Sequence, residues 1–269
     1  MTADRRTADL HLDGQRIEAS WWGPGPEAAP TLVLLHEGLG SVGLWRDFPA
    51  LLAAATGCGV FAFSRFGYGR SAPIALPRPL DYMQREARDV LGRVLDAAGI
   101  RRALLVGHSD GASIAALYGA YFPEDARIAG LALMAPHFFV EPLSVASIAA
   151  IRRQYGEGRL RERLARHHDD VDGAFYGWAD AWLDPGFPAV LELSAELRRI
   201  RAPVLILQGA QDPYGTEAHA KLAEREVPVP VRTILLTAGH SPHIEATAAA
   251  VAAVAEFTRE LAGAQTHAD

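Results

Sequence analysis

Short apolar segments alternate along the chain with longer amphipathic segments, and this alternation strongly constrains the fold. The apolar segments cover residues 31–36, 59–64, 103–108, 131–136, 203–209 and 231–237. Runs this short and this continuously apolar are typical of strands buried on both faces. The helical patterns cover residues 81–100, 111–123, 216–226 and 247–263. This order of strands and helices predicts an α/β fold with a mostly parallel central sheet flanked by helices.

The alternation is interrupted once, between residues 137 and 200, where no strand-like segment occurs. An insertion of this length between two buried strands is too long for a plain connection. It therefore predicts a helical cap lying over the sheet. The expected organisation is a core built from residues 1–136 and 201–269, with residues 137–200 as the cap.

Composition narrows the class of protein. Of the 269 residues, 49% are hydrophobic and 22% are charged, as in an ordinary globular protein. The net charge of −6 comes from interleaved acids and bases, which argues against a nucleic-acid partner. A single cysteine, Cys58, excludes an internal disulfide and disfavours a thiolate metal site. The composition is therefore that of a globular protein, and it disfavours a metal site built on cysteines.

No apolar segment reaches the roughly 18 residues that a membrane-spanning helix needs. Residues 1–15 contain no apolar signal-peptide core. The expectation is a cytoplasmic protein that does not associate with membranes. The oligomeric state has no signal in the sequence.

The stretch "GHSDG" (107–111) has the pattern G-x-S-x-G and joins a predicted strand to a predicted helix. In that context the pattern predicts a nucleophile elbow, in which a strained turn projects the Ser109 hydroxyl above the sheet. Gly107 and Gly111 remove side chains that would collide with neighbouring elements. The backbone N–H of Asp110 would point from the helix N-terminus at a developing oxyanion.

Two further residues follow predicted strands. Asp212 comes after the fifth apolar segment and His240 after the sixth. Ligands and catalytic groups of open α/β sheets gather at such strand ends. His240 could take the proton of Ser109, and Asp212 could orient the imidazole. His243 is the alternative base, whereas His36 and His108 are expected to be packed, hydrogen-bonded residues.

The chain resembles the α/β-hydrolase superfamily in "TLVLLHEGLGSVGLW", "FSRFGYGRSA", "GHSDGAS", "QGAQDPYG" and "AGHSPH". The resemblance implies an α/β-hydrolase fold, no cofactor, and a catalytic triad of Ser109, Asp212 and His240. It also places the oxyanion loop at "HEGLG" (36–40), with the backbone N–H of Gly38 as the partner of the Asp110 N–H.

Glu37 departs from the family pattern, because a glycine is usual at that position. A carboxylate beside an oxyanion hole would oppose the developing charge unless it is turned away or neutralised. Arg65 is the predicted partner, because adjacent strand ends lie about 5 Å apart and a guanidinium can hold a carboxylate in a bidentate pair. The alternative is that Glu37 contacts a cationic group of the substrate.

The inserted segment is rich in aromatic residues. Phe138, Phe139, Trp178 and Trp182 are the predicted substrate-pocket walls, although these residues and Tyr176 could instead form the core of the cap. The run "HHDD" (167–170) lacks further ligands at metal-site spacing, and we interpret it as a solvated loop.

These features predict a cofactor-independent serine hydrolase that cleaves a small carboxylic ester or lactone through an acyl-enzyme. The first alternative is a C–C bond hydrolase of ring-fission diketones, which the resemblance also allows. The second is a ligand-binding module that keeps the fold without turnover. The resemblance implies that haloalkane dehalogenases and epoxide hydrolases of this fold use an aspartate at the position of Ser109. A serine nucleophile therefore argues against their chemistry.

Overall fold

The structure is a computed structural model that describes residues 4–265. Its strands are β1 (Arg6–Leu12), β2 (Gln15–Trp22), β3 (Thr31–Leu35), β4 (Gly59–Phe63), β5 (Ala103–His108), β6 (Ile128–Met134), β7 (Val204–Gly209) and β8 (Val231–Leu236). They form one eight-stranded sheet in the order β1-β2-β4-β3-β5-β6-β7-β8. The pairs β1–β2 and β2–β4 are antiparallel, and every other neighbouring pair is parallel.

The six apolar segments of the sequence are the strands β3 to β8, so the predicted mostly parallel sheet is confirmed. The hairpin β1–β2 was not predicted. Its turn, Asp13-Gly14, has positive φ angles of 51° and 77°, as a two-residue hairpin turn requires. The dipeptide is a recognised hairpin signal, but the strands beside it carry exposed polar residues instead of a continuous apolar run.

The helices are α1 (Phe48–Thr56), α2 (Tyr82–Arg85), α3 (Gly92–Ala97), α4 (Asp110–Tyr121), α5 (Pro142–Gly156), α6 (Arg159–Leu164), α7 (Val171–Leu183), α8 (Phe187–Val190), α9 (Ser194–Leu197), α10 (Ala218–Glu226), α11 (Pro242–Glu245) and α12 (Thr247–Gln265). A π-helical segment, Glu86–Leu91, joins α2 to α3, so the predicted helix over 81–100 contains one wide turn. A 3-10 turn, Val42–Trp45, precedes α1.

Apolar side chains cover both faces of the sheet. On one face, α1 and α12 pack through residues such as Leu52, Val254 and Phe257. On the other face lie the helix from α2 to α3, α4, α10 and the inserted helices. Residues 110–120 of α4 are all buried, so the helix that follows the elbow is fixed on every side. The sheet core therefore provides a rigid base for the loops at its upper edge.

Residues 137–200 contain the helices α5 to α9 and, within the described chain, no strand. Helix α7 contacts α5 and α6, while α9 contacts α4 and α10. The helical content is that expected of the insertion. The treatment of these residues as a separate cap domain stays a prediction.

The carboxyl ends of the parallel strands converge on one edge of the sheet. The residues found there are His36 after β3, Arg65 after β4, Ser109 after β5, Asp212 after β7 and His240 after β8. Because β4 and β5 lie on opposite sides of β3, the order of the chain reverses there. Such a switch point leaves a crevice in which open α/β sheets bind ligands.

The elbow glycine tests this packing. A Cβ atom at Gly111 would lie 2.0 Å from the carbonyl oxygen of Leu35 in β3, so neither rigid backbone can accommodate it. We expect Gly111→Ala to lower the free energy of unfolding by about 1–3 kcal/mol. Gly156→Ala is the control, because nothing lies within 4 Å of its Cβ position. Thermal and urea unfolding of both variants provide the measurement, and equal stability of Gly111→Ala and wild type would contradict the packing.

Candidate active site

Ser109 occupies the turn between β5 and α4. Its φ of 53° and ψ of −120° lie in a region that non-glycine residues rarely adopt, so the backbone is strained there. A Cβ at Gly107 would lie 2.4 Å from the Cα of Ala112, which shows how closely strand and helix approach. The strain and the flanking glycines together give the strand–turn–helix geometry of a nucleophile elbow.

The structure brings Ser109, His240 and Asp212 into one hydrogen-bonded series. His240 Nε2 lies 2.9 Å from Ser109 Oγ, and His240 Nδ1 lies 2.9 Å from each carboxylate oxygen of Asp212. The Asp212 side chain is 1% exposed and that of His240 is 16% exposed. With Asp212 as the acceptor at Nδ1, Nε2 is free to accept the serine proton.

Asp212 is held by groups other than His240. The backbone N–H of Tyr214 donates to Oδ1 at 2.8 Å, and Gln208 Nε2 donates to Oδ2 at 3.1 Å. Burial of the carboxyl opposes its charged form. The hydrogen bond and charge of His240, with the donors from Tyr214 and Gln208, outweigh that effect and lower the pKa of Asp212.

The N–H groups of Gly38 and Asp110 have no protein acceptor in the described part of the chain. Gly38 lies in the loop after β3, and Asp110 is the first residue of α4. Both residues line the same cavity as Ser109. Two free backbone donors beside a serine hydroxyl are the arrangement that stabilises an oxyanion.

The predicted ion pair between the Glu37 carboxylate and Arg65 is wrong. Arg65 Nη2 donates instead to the backbone carbonyl of Glu37 at 2.8 Å. The Glu37 carboxylate lies 3.4 Å from Nδ1 of His108. Burial opposes its charge, but the hydrogen bond and charge of His108 outweigh that effect and hold the pKa of Glu37 far below its ordinary value. Sequence reasoning identified Arg65 correctly as a neighbour of Glu37 but chose the wrong oxygen atom.

The remaining histidines near the site are packed and buried. His36 Nε2 accepts the N–H of Arg65 at 3.0 Å, and His108 Nε2 donates to the carbonyl of His240 at 2.7 Å. His243 does not reach Ser109. It packs against Trp45 and His108, and its pKa falls to about 3 because burial and the neighbouring His108 disfavour the charged ring.

A cavity of about 210 Å³ opens above Ser109. Its lining comes from the core and from the inserted helices, and consists of Glu37, Gly38, Leu39, Ser109, Asp110, His137, Ser144, Ile148, Ile151, Trp178, Trp182, Tyr214, His240 and Ser241. The wall is mostly apolar. Its carboxyl groups belong to Glu37 and Asp110, and none of the described residues that line it is Arg or Lys.

The four aromatic residues proposed for the pocket fall into two pairs. Trp178 and Trp182 line the cavity, and the Trp178 indole lies directly over Gly38. Phe138 and Phe139 do not line it, because their rings pack against His219. Tyr176 packs edge-on to Tyr155 at 5.4 Å, away from Ser109. The pocket prediction therefore fails for the two phenylalanines, of which Phe138 is buried and Phe139 half-buried in the segment between β6 and α5.

In the segment 167–170 the two aspartates are exposed, as in a solvated loop, but His168 is not. His168 is buried, with Nδ1 accepting the N–H of Gly69 at 2.9 Å and Nε2 lying 3.0 Å from the carbonyl of Leu39. Asp170 caps α7 by accepting the N–H of Gly173. Among residues 4–265 no group of three or more His, Cys, Asp or Glu side chains could hold a metal ion. The helices of the same range are all either too short or too polar to span a bilayer.

Sequence reasoning missed the residues behind the cavity wall. The carboxyl of Asp110 accepts a hydrogen bond from the Tyr82 hydroxyl, which in turn accepts Trp182 Nε1–H at 3.1 Å. Burial raises the pKa of Asp110, while Arg65 and Tyr82 act in the opposite direction. His137, at the end of β6, lines the cavity with Nδ1 unpartnered. Its place after an apolar segment was a usable signal, whereas Tyr82 lies inside an ordinary helical pattern.

The depressed pKa of Asp212 predicts a pH dependence of stability. A carboxyl whose pKa is lower in the folded state adds stability above its unfolded pKa of about 3.9, and this stability is lost as the pH falls through the folded value. We therefore expect the difference in unfolding free energy between wild type and Asp212→Asn to be constant at neutral pH and to shrink below about pH 4. Urea unfolding from pH 7 to pH 3 measures it, and a difference that grows towards low pH would refute the assignment.

Comparison with known proteins identifies the family of the chain. Residues 32–254 match the alpha/beta hydrolase family. Epoxide hydrolase B of Mycobacterium tuberculosis is 37% identical over 124 residues, which is 45% of this chain and 33% of that protein. The chain thus spans about a third of the length of that relative. A bifunctional esterase/perhydrolase of Acinetobacter calcoaceticus is 26% identical over 231 residues, covering 74% of this chain and 80% of that protein.

Solved structures share the fold at low identity. The 2-hydroxy-6-oxo-6-phenylhexa-2,4-dienoate hydrolase of a Rhodococcus species superimposes with a TM-score of 0.77 at 20% identity, over 96% of this chain and 100% of that one. The enol-lactonase of Burkholderia xenovorans gives a TM-score of 0.71 at 22% identity, over 93% and 99%. With the family match extending from β3 into α12, the chain belongs to the alpha/beta hydrolase family.

Proposed function

We propose that the protein is a cofactor-independent serine hydrolase that cleaves a small carboxylic ester or lactone through an acyl-enzyme. The observation that carries this proposal is the continuous series from Asp212 through His240 to Ser109, with 2.9 Å contacts at both ring nitrogens. Nucleophile, base and orienting carboxylate are each within hydrogen-bonding distance of the next, as acyl transfer requires.

The geometry suggests a route for each proton. His240 Nε2 accepts the Ser109 proton as Oγ attacks the acyl carbon, and the imidazolium is stabilised by Asp212. The tetrahedral oxyanion accepts hydrogen bonds from the backbone N–H groups of Gly38 and Asp110. His240 then donates its proton to the leaving oxygen, which departs as an alcohol and leaves the acyl group on Ser109. A water molecule, deprotonated by His240, attacks this ester, and His240 then returns the proton to Ser109 Oγ as the acid is released.

The cavity favours a small and mainly apolar substrate. Its volume of about 210 Å³ lies below the 300–1,000 Å³ range of pockets for drug-sized ligands. Ile148 and Ile151 of α5 and the two tryptophans of α7 form part of its wall. We propose that residues 137–200 act as a cap that covers Ser109 and sets the size of the acyl or alcohol group.

The charge of the wall favours ester or lactone hydrolysis over C–C bond hydrolysis. The Rhodococcus neighbour is named for a dienoate, which carries a carboxylate. In this chain the residues of the described wall that carry carboxyl groups are Glu37 and Asp110, and no Arg or Lys lines the wall to receive such a group. Ser109 also separates the site from the aspartate-based chemistry expected of epoxide hydrolases. The assembled series of Ser109, His240 and Asp212 disfavours a binding module without turnover.

A substrate panel on active-site variants tests the proposal. We expect Ser109→Ala to lower kcat on short p-nitrophenyl esters or lactones by roughly 10⁴ to 10⁶. Ser194→Ala serves as the control, because this half-buried serine does not line the cavity and its hydroxyl donates to Glu192. Turnover of the esters by Ser109→Ala at the wild-type rate would refute the serine mechanism. Turnover of a ring-fission diketone alone would replace the ester assignment with the C–C alternative.

Trp178 tests the role of the cap. Replacing its indole by alanine removes part of the cavity wall, so we expect Trp178→Ala to shift the preference among p-nitrophenyl esters towards longer acyl chains. The ratio of kcat/KM for octanoate to that for acetate measures this shift. An equal loss on all chain lengths, accompanied by a lower melting temperature, would show that Trp178 only stabilises the cap.

A further inference from the structure

Three donors hold the carbonyl oxygen of the peptide bond between Glu37 and Gly38, and one of them is the backbone N–H of Gly40 at 3.1 Å. Arg65 Nη2 lies 2.8 Å from the Glu37 oxygen, and His36 Nδ1 lies 2.7 Å from the same oxygen. The N–H of this peptide belongs to Gly38 and has no protein acceptor in the described chain. One side of the peptide is therefore fully engaged while the other faces the cavity.

The chemistry of the amide connects its two sides. A trans peptide is planar, so its C=O and N–H point in opposite directions, and fixing the oxygen fixes the direction of the N–H. A hydrogen bond to the oxygen also polarises the amide, which strengthens the N–H as a donor. A cationic donor has the larger effect, since charge-assisted hydrogen bonds are about twice as strong as neutral ones.

The Arg65 side chain that donates to the Glu37 carbonyl is buried in the core. The residue is 1% exposed, and its guanidinium lies 4.8 Å from the centre of the Tyr68 ring. Burial disfavours its charge, but Tyr68 and the carboxyls of Asp110 and Glu86 outweigh that effect and raise the pKa of Arg65. A charged guanidinium is thus maintained behind the loop that carries Gly38.

His36 is set in its donor state by the same residue. The backbone N–H of Arg65 donates to His36 Nε2 at 3.0 Å, which leaves the proton of a neutral ring on Nδ1, facing the Glu37 oxygen. Burial and the nearby Arg65 lower the pKa of His36 well below its ordinary value, consistent with a neutral ring. Arg65 therefore supplies one of the three donors to the Glu37 carbonyl through its guanidinium, and through its backbone N–H it fixes the proton of a second.

We infer that Arg65 is a positioning residue for the proposed hydrolysis, which orients and polarises the Gly38 N–H through the carbonyl of Glu37. Arg65 touches no substrate itself. Arg65 stabilises the oxyanionic transition state and leaves the stability of the ground-state complex unchanged. This inference rests on the proposed function, because it presumes that the Gly38 N–H receives the oxyanion formed by Ser109.

Arg78 offers a matched control for the experiment. Its guanidinium lies 4.7 Å from the centre of the same Tyr68 ring, and the residue is also buried, but it makes no hydrogen bond to Glu37 in the described chain. The variants are Arg65→Met, Arg65→Lys, Arg78→Met and Arg78→Lys. The probes are p-nitrophenyl acetate for turnover and phenylboronic acid, whose adduct with a serine carries a negatively charged boron centre like that of the transition state.

Complete loss of an oxyanion donor costs about 10² to 10³ in kcat, so a misdirected donor should cost less. We expect Arg65→Met to lower kcat roughly 10- to 100-fold, with KM changed less than threefold. The same substitution should weaken the binding of phenylboronic acid by a similar factor. Arg65→Lys keeps the charge but not the planar fork, so both losses should be partial. The two Arg78 variants should bind the boronate within twofold of wild type.

Unchanged boronate affinity in folded Arg65→Met, or equal weakening in the Arg65 and Arg78 variants, would overturn the inference. If Arg65→Met does not fold, Arg65→Lys decides, since it retains the charge that Asp110 and Glu86 face. Failure of the proposed function is seen separately: wild type would then neither turn over the ester nor bind phenylboronic acid through Ser109.

Discussion

The pairing of β3 with β5 is the constraint on which the rest of the site depends. Leu35 is the partner of Gly107 across this pair, and on its other side Leu35 is the partner of Phe63 in β4. This register brings the ends of three strands to the same level. The loop that carries Glu37, the elbow that carries Ser109 and the segment that carries Arg65 therefore meet at one point. A shift of one residue would reverse every side chain in the buried strands.

The site also depends on charges placed in the interior. Arg65, Arg78, Glu86 and Asp110 surround Tyr68 and Tyr82 behind the cavity, and several of their polar atoms lack a partner. Removing such groups from water is costly, and a buried ion cluster rarely adds stability compared with apolar residues. Its presence directly behind Asp110 and Gly38 is explained better by the direction it imposes on nearby backbone groups than by stability.

Much of the fold could be read from the sequence, because buried parallel strands leave an unmistakable pattern of short apolar runs. The hairpin β1–β2 was missed since its strands carry exposed polar side chains, such as Thr7 and Gln15, and form no continuous apolar run. Ser109, Asp212 and His240 could be proposed because each follows a strand in a recognisable local sequence. Three features depend on packing between distant segments, for which a single sequence carries no pattern. They are the hydrogen bond from Arg65 to the Glu37 carbonyl, the burial of His168 and the burial of Phe138.

The position of β8 at the edge of the sheet determines the order in which denaturant disrupts the site and the fold. Its residues are only partly buried, and Leu235 is 54% exposed, whereas β5 and most of α4 are completely enclosed. His240 follows β8, while Ser109 lies between β5 and α4. Regions with fewer buried contacts open at lower free energy than the core. Mild denaturant should therefore separate the base from the nucleophile while the interior of the sheet is still intact, so that chemical inactivation precedes the loss of the fold.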